Sequence, residues 1–196
     1  MVVVSGSNAG PMAQQLAALG WAHHSLETRR FPDTEGYTRI PTETIEAIRS
    51  EPVVLVSNTF PDSGIVETLL MLDAIQDVRS GRLQNLREIG PQTLPDVGKG
   101  VVLAIPYFGY SRQDKRFKPG ESISALAIAD ILATRCDGMV VLDLHAPAVL
   151  QDLSIPVSFT SAMPELANHL KESVNCLLYT SPSPRDRTRS RMPSSA

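Results

Sequence analysis

Cysteine is scarce in this chain, and the two that occur, Cys136 and Cys176, lie 40 positions apart among 196 residues. With no CxxC pair and no histidine-rich spacing nearby, neither a disulfide framework nor a structural zinc site is predicted. Long apolar runs are also missing, since no stretch approaches the roughly 18 consecutive apolar residues of a membrane helix. The opening "MVVVSGSNAG" lacks the charged start and longer apolar segment of a signal peptide. These absences predict a cytoplasmic protein with no membrane partner.

Three common signature motifs are absent as well. The sequence has no GxxxxGK[ST] phosphate loop, no GxGxxG dinucleotide fingerprint and no GxSxG nucleophile elbow. Each of these motifs places backbone N–H groups or a nucleophile at a fixed point of a strand-to-helix turn. Their absence argues against the usual nucleotide-binding and hydrolase classes.

The composition changes abruptly at residue 175. Residues 175–196 carry four Arg, one Asp and five Ser and show neither helical nor strand periodicity. This segment resembles translated sequencing-adapter read-through, and we expect it to be a non-native or disordered tail. Without its four basic and one acidic residues, the chain's 18 basic and 21 acidic residues fall to 14 and 20, a net charge of −6. An acidic body argues against a nucleic-acid partner.

Short runs rich in Val and Ile alternate along the chain with stretches whose apolar residues recur every three or four positions. The first pattern is typical of strands buried on both faces, and the second of amphipathic helices. Their alternation predicts an α/β fold with a mostly parallel sheet and helices on both faces, which binds ligands at the carboxyl ends of its strands. The predicted strands are 1–6, 52–57, 100–108, 138–144 and 155–159, and the predicted helices are 11–20, 65–80 and 122–135.

One segment interrupts this alternation. Residues 81–100 contain two prolines and four glycines and have weak periodicity. They predict an exposed loop insertion before the third strand. We therefore expect one domain over residues 1–174, followed by the tail.

Three polar clusters follow strands or strand-like runs. In "RRFPDTEGYTRI" (29–40), Phe31, Asp33 and Glu35 surround a proline-containing turn. An aromatic ring with two nearby carboxylates suits the stacking of a base and hydrogen bonds to its amino group or to ribose hydroxyls. The same pattern also fits a β-turn with solvated acids.

The second cluster, "SRQDKRFKPGESIS" (111–124), places Arg112, Lys115, Arg116 and Lys118 directly after an apolar strand and before a helix start. Arginine and lysine are the side chains that bind phosphate oxygens, and a helix start adds free N–H groups. A polyphosphate site and a solvated charged loop both fit the pattern. A nucleic-acid patch fits less well, because Phe117 is the one stacking ring nearby.

The third cluster, "VVLDLHAP" (140–147), ends a buried strand with Asp143 and His145. On an extended strand, alternate side chains point to the same side. The pair could therefore hold a divalent ion or a phosphate, or His145 could be a hydrogen-bonded structural residue.

In this order the clusters resemble the ribose-phosphate pyrophosphokinase family, in its archaeal-type form. "VVVSGSNAGPMAQQLAALG" is similar to the family's opening strand and helix, and "RRFPDTEGYTRI" to its adenine-site turn. "IPYFGYSRQDKRFKPGESIS" resembles its ATP loop, and "VVLDLHAP" its metal-site strand. The resemblance covers residues 1 to about 173. It implies a phosphoribosyltransferase-like fold, as the first of two similar domains.

The family transfers a diphosphoryl group from ATP to the C1 hydroxyl of ribose 5-phosphate, giving phosphoribosyl pyrophosphate and AMP. The resemblance implies that Phe31 stacks on adenine, that Asp33 and Glu35 bind the nucleoside, and that Arg112 and Gln113 hold ATP. It implies that His145 and Asp143 bind Mg²⁺, the expected cofactor. It also implies a homo-oligomer, because the adenine-site turn serves an ATP site in a neighbouring subunit.

The sequence departs from the family in three ways. Thr34 stands where the family's turn usually has Gly, and Ser154 and Ser158 stand where some members place acids. The paired-acid and Thr-Gly-Gly-Thr motif that binds ribose 5-phosphate, and the mobile Lys/Arg catalytic loop, do not occur in the chain. We therefore assign no catalytic residue and expect no turnover by these 196 residues alone. The alternatives are a non-catalytic regulatory homologue that binds the synthetase, an RNA-binding module, and a phosphoribosyltransferase, whose signature loop is the missing one.

Overall fold

The computed structural model describes residues 1–82 and 100–173. The predicted tail, most of the predicted loop insertion and the predicted boundary at residue 174 lie outside these ranges. The chain divides into two compact units, Met1–Ser161 and a second that begins at Ala162 and contains α5. The described helices are α1 (Gly10–Ala17), α2 (Ile45–Ser50), α3 (Asp62–Arg79), α4 (Ser124–Ala133) and α5 (Met163–Ser173). The strands are β1 (Val2–Ser5), β2 (Ala22–Ser25), β3 (Glu27–Arg30), β4 (Gly36–Arg39), β5 (Val53–Val56), β6 (Val101–Ile105), β7 (Gly138–Leu142) and β8 (Val157–Thr160).

Six strands form one parallel sheet in the order β2-β1-β5-β6-β7-β8. Five of them are the predicted strands, and α1, α3 and α4 are the predicted helices, so the α/β prediction is confirmed. Strand β2 was not predicted, because its sequence "AHHS" is polar and only half-buried. Its strand conformation comes from pairing with β1 at the edge of the sheet. Strands β3 and β4 form a separate antiparallel hairpin.

Helices cover both faces of the sheet, as predicted. Val2 and Val4 of β1 belong to a large apolar cluster, whereas Val3 between them packs with Ala13 of α1 on the opposite face. Each fully buried Val, Leu or Ile side chain contributes roughly 1.5–3 kcal/mol relative to exposure, so the large cluster is the main source of stability. Its helical members include Ile48 of α2, Met71 and Ile75 of α3, and Leu132 of α4.

The parallel arrangement brings the carboxyl ends of β1, β5, β6 and β7 to one edge of the sheet. There Asn8 and Asn58 exchange side-chain to backbone hydrogen bonds of 2.8–3.1 Å, which join the ends of β1 and β5. The Asn58 Oδ1 also accepts the backbone N–H of Tyr107, 2.9 Å away, at the end of β6. These contacts therefore join the ends of three neighbouring strands.

Among the described residues, no helix combines the length and the apolar composition needed to cross a membrane.

Candidate functional site

The basic loop, residues 109–123, leaves β6 at the carboxyl edge of the sheet. It opens with a tight turn in which the backbone N–H of Gln113 donates to the carbonyl of Tyr110, 2.9 Å away. Tyr110 has φ +63°, the left-handed region that non-glycine residues rarely adopt. The turn places Arg112 and Gln113 as its last two residues.

Two hydrogen bonds fix the entry of the basic loop, one to the connection between β5 and α3 and one to the first residue of α3. The backbone N–H of Gly109 donates to Thr59 Oγ1 at 2.7 Å, and the hydroxyl of Tyr110 donates to Asp62 Oδ1 at 2.7 Å. The Asp62 hydrogen bond and its negative charge both raise the pKa of Tyr110 above its ordinary value. The loop is thus tied to residues about 50 positions earlier in the chain.

Contacts with its own backbone hold the exit of the loop. Gln113 Nε2 lies 3.3 Å from the carbonyls of both Lys115 and Ser122, and the Gln113 carbonyl accepts the N–H of Ala125 in α4. Glu121 accepts the N–H groups of Phe117 and Lys118 at 2.7 and 3.0 Å. Gln113, predicted to hold ATP, therefore also shapes the loop through its amide nitrogen. Glu121 was not predicted as a site residue, because nothing in a charged stretch of sequence marks which acid accepts backbone N–H groups.

The basic side chains of the loop differ in what they already contact. Arg116 Nε donates to the carbonyl of Glu121 at 2.9 Å, and the Lys115 ammonium lies 5.3 Å from the centre of the Phe117 ring. Arg112 is exposed and makes no hydrogen bond or ion pair with the residues that the structure describes. Its guanidinium is therefore available to an anionic ligand.

Arg112 and Gln113 line a cleft of about 450 Å³ at the carboxyl edge. The rings of Phe60 and Tyr107 meet edge to face in its wall, with centroids 5.7 Å apart, and both are more than half exposed. This volume suits part of a nucleotide. The sequence reasoning missed both rings, although each follows a strand end. The remaining lining residues are Asp62, Tyr110 and Ser111.

The predicted adenine-site turn is the tip of the β3–β4 hairpin. The Phe31 ring packs edge to face on Tyr37 with centroids 5.8 Å apart, and the Asp33 carboxylate accepts the N–H of Glu35 at 3.1 Å. Glu35 lines a separate cavity of about 580 Å³ between the hairpin and α3, which shares no lining residue with the Arg112 cleft. Within one chain, the two pockets do not bring the predicted nucleoside residues together with Arg112.

Thr34, at the hairpin tip, has φ +74°, which suits glycine and strains a β-branched residue. We expect Thr34→Gly to raise the free energy of unfolding by up to about 1 kcal/mol, because relief of strain of roughly 1–3 kcal/mol outweighs the greater freedom of glycine in the unfolded chain. Urea denaturation measures this difference. A matched Thr42→Gly variant, at the start of a short 3-10 helix where φ is not positive, should lower stability. A Thr34→Gly protein less stable than the parent would contradict the strain.

The third cluster departs from its predicted geometry. Strand β7 ends at Leu142, and Asp143 has φ +46°, so the backbone is no longer extended there. The argument that Asp143 and His145 point to one side because they alternate along a strand is therefore wrong. The Asp143 N–H donates to the Thr160 carbonyl at 2.9 Å, and its carboxylate accepts the Ser161 hydroxyl. In the part of the chain that the structure describes, no three His, Cys, Asp or Glu side chains group as metal ligands.

These features define an α/β protein with an anchored basic loop at the carboxyl edge of a parallel sheet. A model of the N-terminal domain of ribose phosphate pyrophosphokinase matches residues 97–135, which contain β6, the basic loop and α4. The solved phosphoribosylpyrophosphate synthetase from Mycobacterium smegmatis has the same fold, with a TM-score of 0.66 at 23% identity over 88% of this chain and 52% of that one.

Curated relatives named ribose-phosphate pyrophosphokinase extend the match. The one from Methanothermobacter thermautotrophicus is 36% identical over 74% of this chain and 44% of its own length. The one from Methanopyrus kandleri is 32% identical over 88% of this chain and 52% of its own length. The resemblance to the N-terminal domain of the ribose-phosphate pyrophosphokinases, in their archaeal form, is therefore confirmed. The chain spans about half the length of these relatives.

Proposed function

We propose that this chain supplies the ATP-binding half of a ribose-phosphate pyrophosphokinase, which forms phosphoribosyl pyrophosphate and AMP from ribose 5-phosphate and ATP. The observation that carries the proposal is Arg112, which is exposed in a cleft at the carboxyl edge and has no anionic partner among the described residues. The basic loop that holds it lies in the segment that matches the N-terminal domain of this enzyme family.

The phosphates of ATP would lie against the basic loop. Arg112 offers a planar pair of N–H donors to phosphate oxygens, and Lys115 adds positive charge nearby. The first N–H groups of α4, which begins at Ser124, favour negative charge from the other side of the loop. Because such a reaction depends on positioning and charge neutralisation, a loop fixed in advance favours it.

The hairpin residues Phe31, Asp33 and Glu35 would bind the adenine end of ATP held by a neighbouring subunit. The separation of the hairpin cavity from the Arg112 cleft supports this arrangement, because the two sets of residues line different pockets of one chain. The proposal therefore includes a homo-oligomer. A cytoplasmic location stays a prediction from the sequence.

Asp143 and His145 are the proposed protein ligands of Mg²⁺. Mg²⁺ keeps several waters and is bound in such sites by one or two carboxylates together with substrate phosphates. One exposed carboxylate, fixed through its own backbone and through Ser161, fits that partial role. When bound, the ion would neutralise the phosphates and polarise the reacting phosphorus. His145, exposed two residues further on, would contact the phosphates or the ion.

The ribose 5-phosphate site and the catalytic Lys/Arg loop would come from a second domain. We therefore expect the 196-residue chain to bind MgATP in a calorimeter but to release no AMP when ribose 5-phosphate is added. A chimera of residues 1–173 with the C-terminal half of the Methanothermobacter relative should form AMP only when ribose 5-phosphate and Mg²⁺ are both present. ATP hydrolysis that ignores the sugar would contradict the proposed reaction, and turnover by the chain alone would contradict the need for a second domain.

A further inference from the structure

The proposed function assigns no role to the Tyr110–Asp62 hydrogen bond. It joins the first residue of the Arg112 turn to the first residue of α3, with 2.7 Å between the phenol oxygen and Asp62 Oδ1. Both side chains line the Arg112 cleft.

Helix α3 is a rigid support for this hydrogen bond. It runs for 18 residues, and Met71, Leu72 and Ile75 on its inner face are fully buried in the core. The turn above it is not supported in the same way, because Arg112 is exposed and Tyr110 has a left-handed backbone. A hydrogen bond from the turn to α3 therefore restricts the motion of the turn. It thereby restricts the position of the Arg112 guanidinium.

We infer that Tyr110 and Asp62 are positioning residues, whose hydrogen bond holds the turn so that Arg112 faces the cleft. The inference rests on the proposed function where ATP is concerned. The pair acts through the loop and does not itself need to contact the ligand. A second link, from Gly109 to Thr59 in the connection between β5 and α3, fixes the chain one residue before the turn.

Tyr110→Phe keeps the ring and removes the donor, and Asp62→Asn keeps the size and removes the charge. Tyr107→Phe is the matched control, since Tyr107 lines the same cleft and its hydroxyl makes no hydrogen bond with the described residues. The first measurement is tyrosinate absorbance during an alkaline titration. The tyrosine whose pKa Asp62 raises should be missing from the titration of Tyr110→Phe, and its pKa should fall in Asp62→Asn. A titration of Asp62→Asn identical to that of the parent would contradict the hydrogen bond.

The second measurement is native-state trypsin cleavage after Arg112, Lys115 and Arg116, with the sites read by mass spectrometry. Cleavage in this loop should be severalfold faster in Tyr110→Phe and in Asp62→Asn than in the parent and in Tyr107→Phe. Equal rates in all four proteins would contradict the positioning role. This readout needs no ligand, so it decides the inference even if the parent chain binds no ATP, which would instead contradict the proposed function.

The third measurement is ATP affinity by calorimetry. If ATP binds, Tyr110→Phe and Asp62→Asn should weaken its binding roughly three- to tenfold, the size expected for the loss of one typical hydrogen bond. Asp130→Asn, the same kind of change near the carboxyl end of α4 and outside the cleft, should bind ATP like the parent. Parental affinity in both Tyr110→Phe and Asp62→Asn would overturn the link between the pair and Arg112.

Discussion

Replacing Gly109 by alanine is expected to lower the free energy of unfolding by roughly 1–3 kcal/mol or more and to weaken ATP binding at least about tenfold. A Cβ at this position would lie 2.2 Å from the backbone oxygen of Thr59 and 3.1 Å from its carbonyl carbon. The obstacle is backbone, so no change of rotamer can relieve the clash. The start of the basic loop, or the connection between β5 and α3, must move instead.

That movement breaks the contact that fixes the loop. The Gly109 N–H lies 2.7 Å from Thr59 Oγ1, and a shift large enough to clear the clash carries this donor out of range. Thr59 is fully buried, so water cannot easily replace the lost donor to its hydroxyl. Loss of this hydrogen bond therefore costs free energy. The loss of ATP affinity then follows from the displacement of Arg112, three residues further on.

Urea denaturation and calorimetry measure the two effects, with Gly138→Ala as the matched control. A Cβ on Gly138 comes no closer than 3.4 Å to the carbonyl oxygen of Pro156, and Gly138 begins β7 at the edge of the sheet opposite the cleft. The control should therefore lose less stability than Gly109→Ala and bind ATP like the parent. A Gly109→Ala protein that keeps parental stability and ATP affinity would show that Gly109 does not pack against Thr59.

The central strands could be predicted from the sequence because both faces of each are covered. "PVVLVS" and "GVVLAIPYF" are almost continuously apolar, and that composition indicates a buried parallel strand. Strands β2 and β3 could not be predicted in this way. "AHHS" and "ETRR" have polar or charged side chains, and they are strands because β1 and β4 supply backbone partners. Strand pairing of this kind produces no alternating apolar pattern in the sequence.

The same distinction between local features and contacts distant in sequence applies to the site. The charge of the basic loop and its place after a strand are local features, so the sequence predicts the loop. The links that fix it, Gly109 to Thr59 and Tyr110 to Asp62, join residues 50 and 48 positions apart. Hydrogen bonds over such distances have no spacing rule in sequence. The error at Asp143 is a local one, because the sequence does not reveal that its φ of +46° ends the strand.

Removing the Arg112 side chain is expected to weaken ATP binding roughly 10- to 100-fold while leaving stability within about 0.5 kcal/mol of the parent. The two effects separate because the Arg112 side chain makes no hydrogen bond or ion pair with the described residues. Truncation to alanine therefore removes nothing that holds the fold. The loss of affinity is the size expected when a charged group that donates two hydrogen bonds to phosphate oxygens is removed.

Two further variants determine whether the guanidinium or only its charge matters. Arg112→Lys keeps the charge but loses the planar pair of donors, so it should recover only part of the affinity lost in Arg112→Ala. Arg49→Ala removes one positive charge from α2, which leads directly into the start of β5 and so lies at the opposite edge of the sheet. Arg49→Ala should bind ATP like the parent, because a solvent-exposed charge at that distance is screened at physiological salt.

Calorimetry at two salt concentrations completes the test. The parent's ATP affinity should fall with added salt, and Arg112→Ala should show a shallower dependence, since one contact between opposite charges is gone. If Arg112→Ala and Arg49→Ala lose affinity equally, the loop acts only through the overall charge of the chain, and Arg112 is not part of the site. If only Arg112→Ala loses affinity, the phosphate-binding group of this edge is the Arg112 guanidinium, which makes no hydrogen bond or ion pair with the described residues.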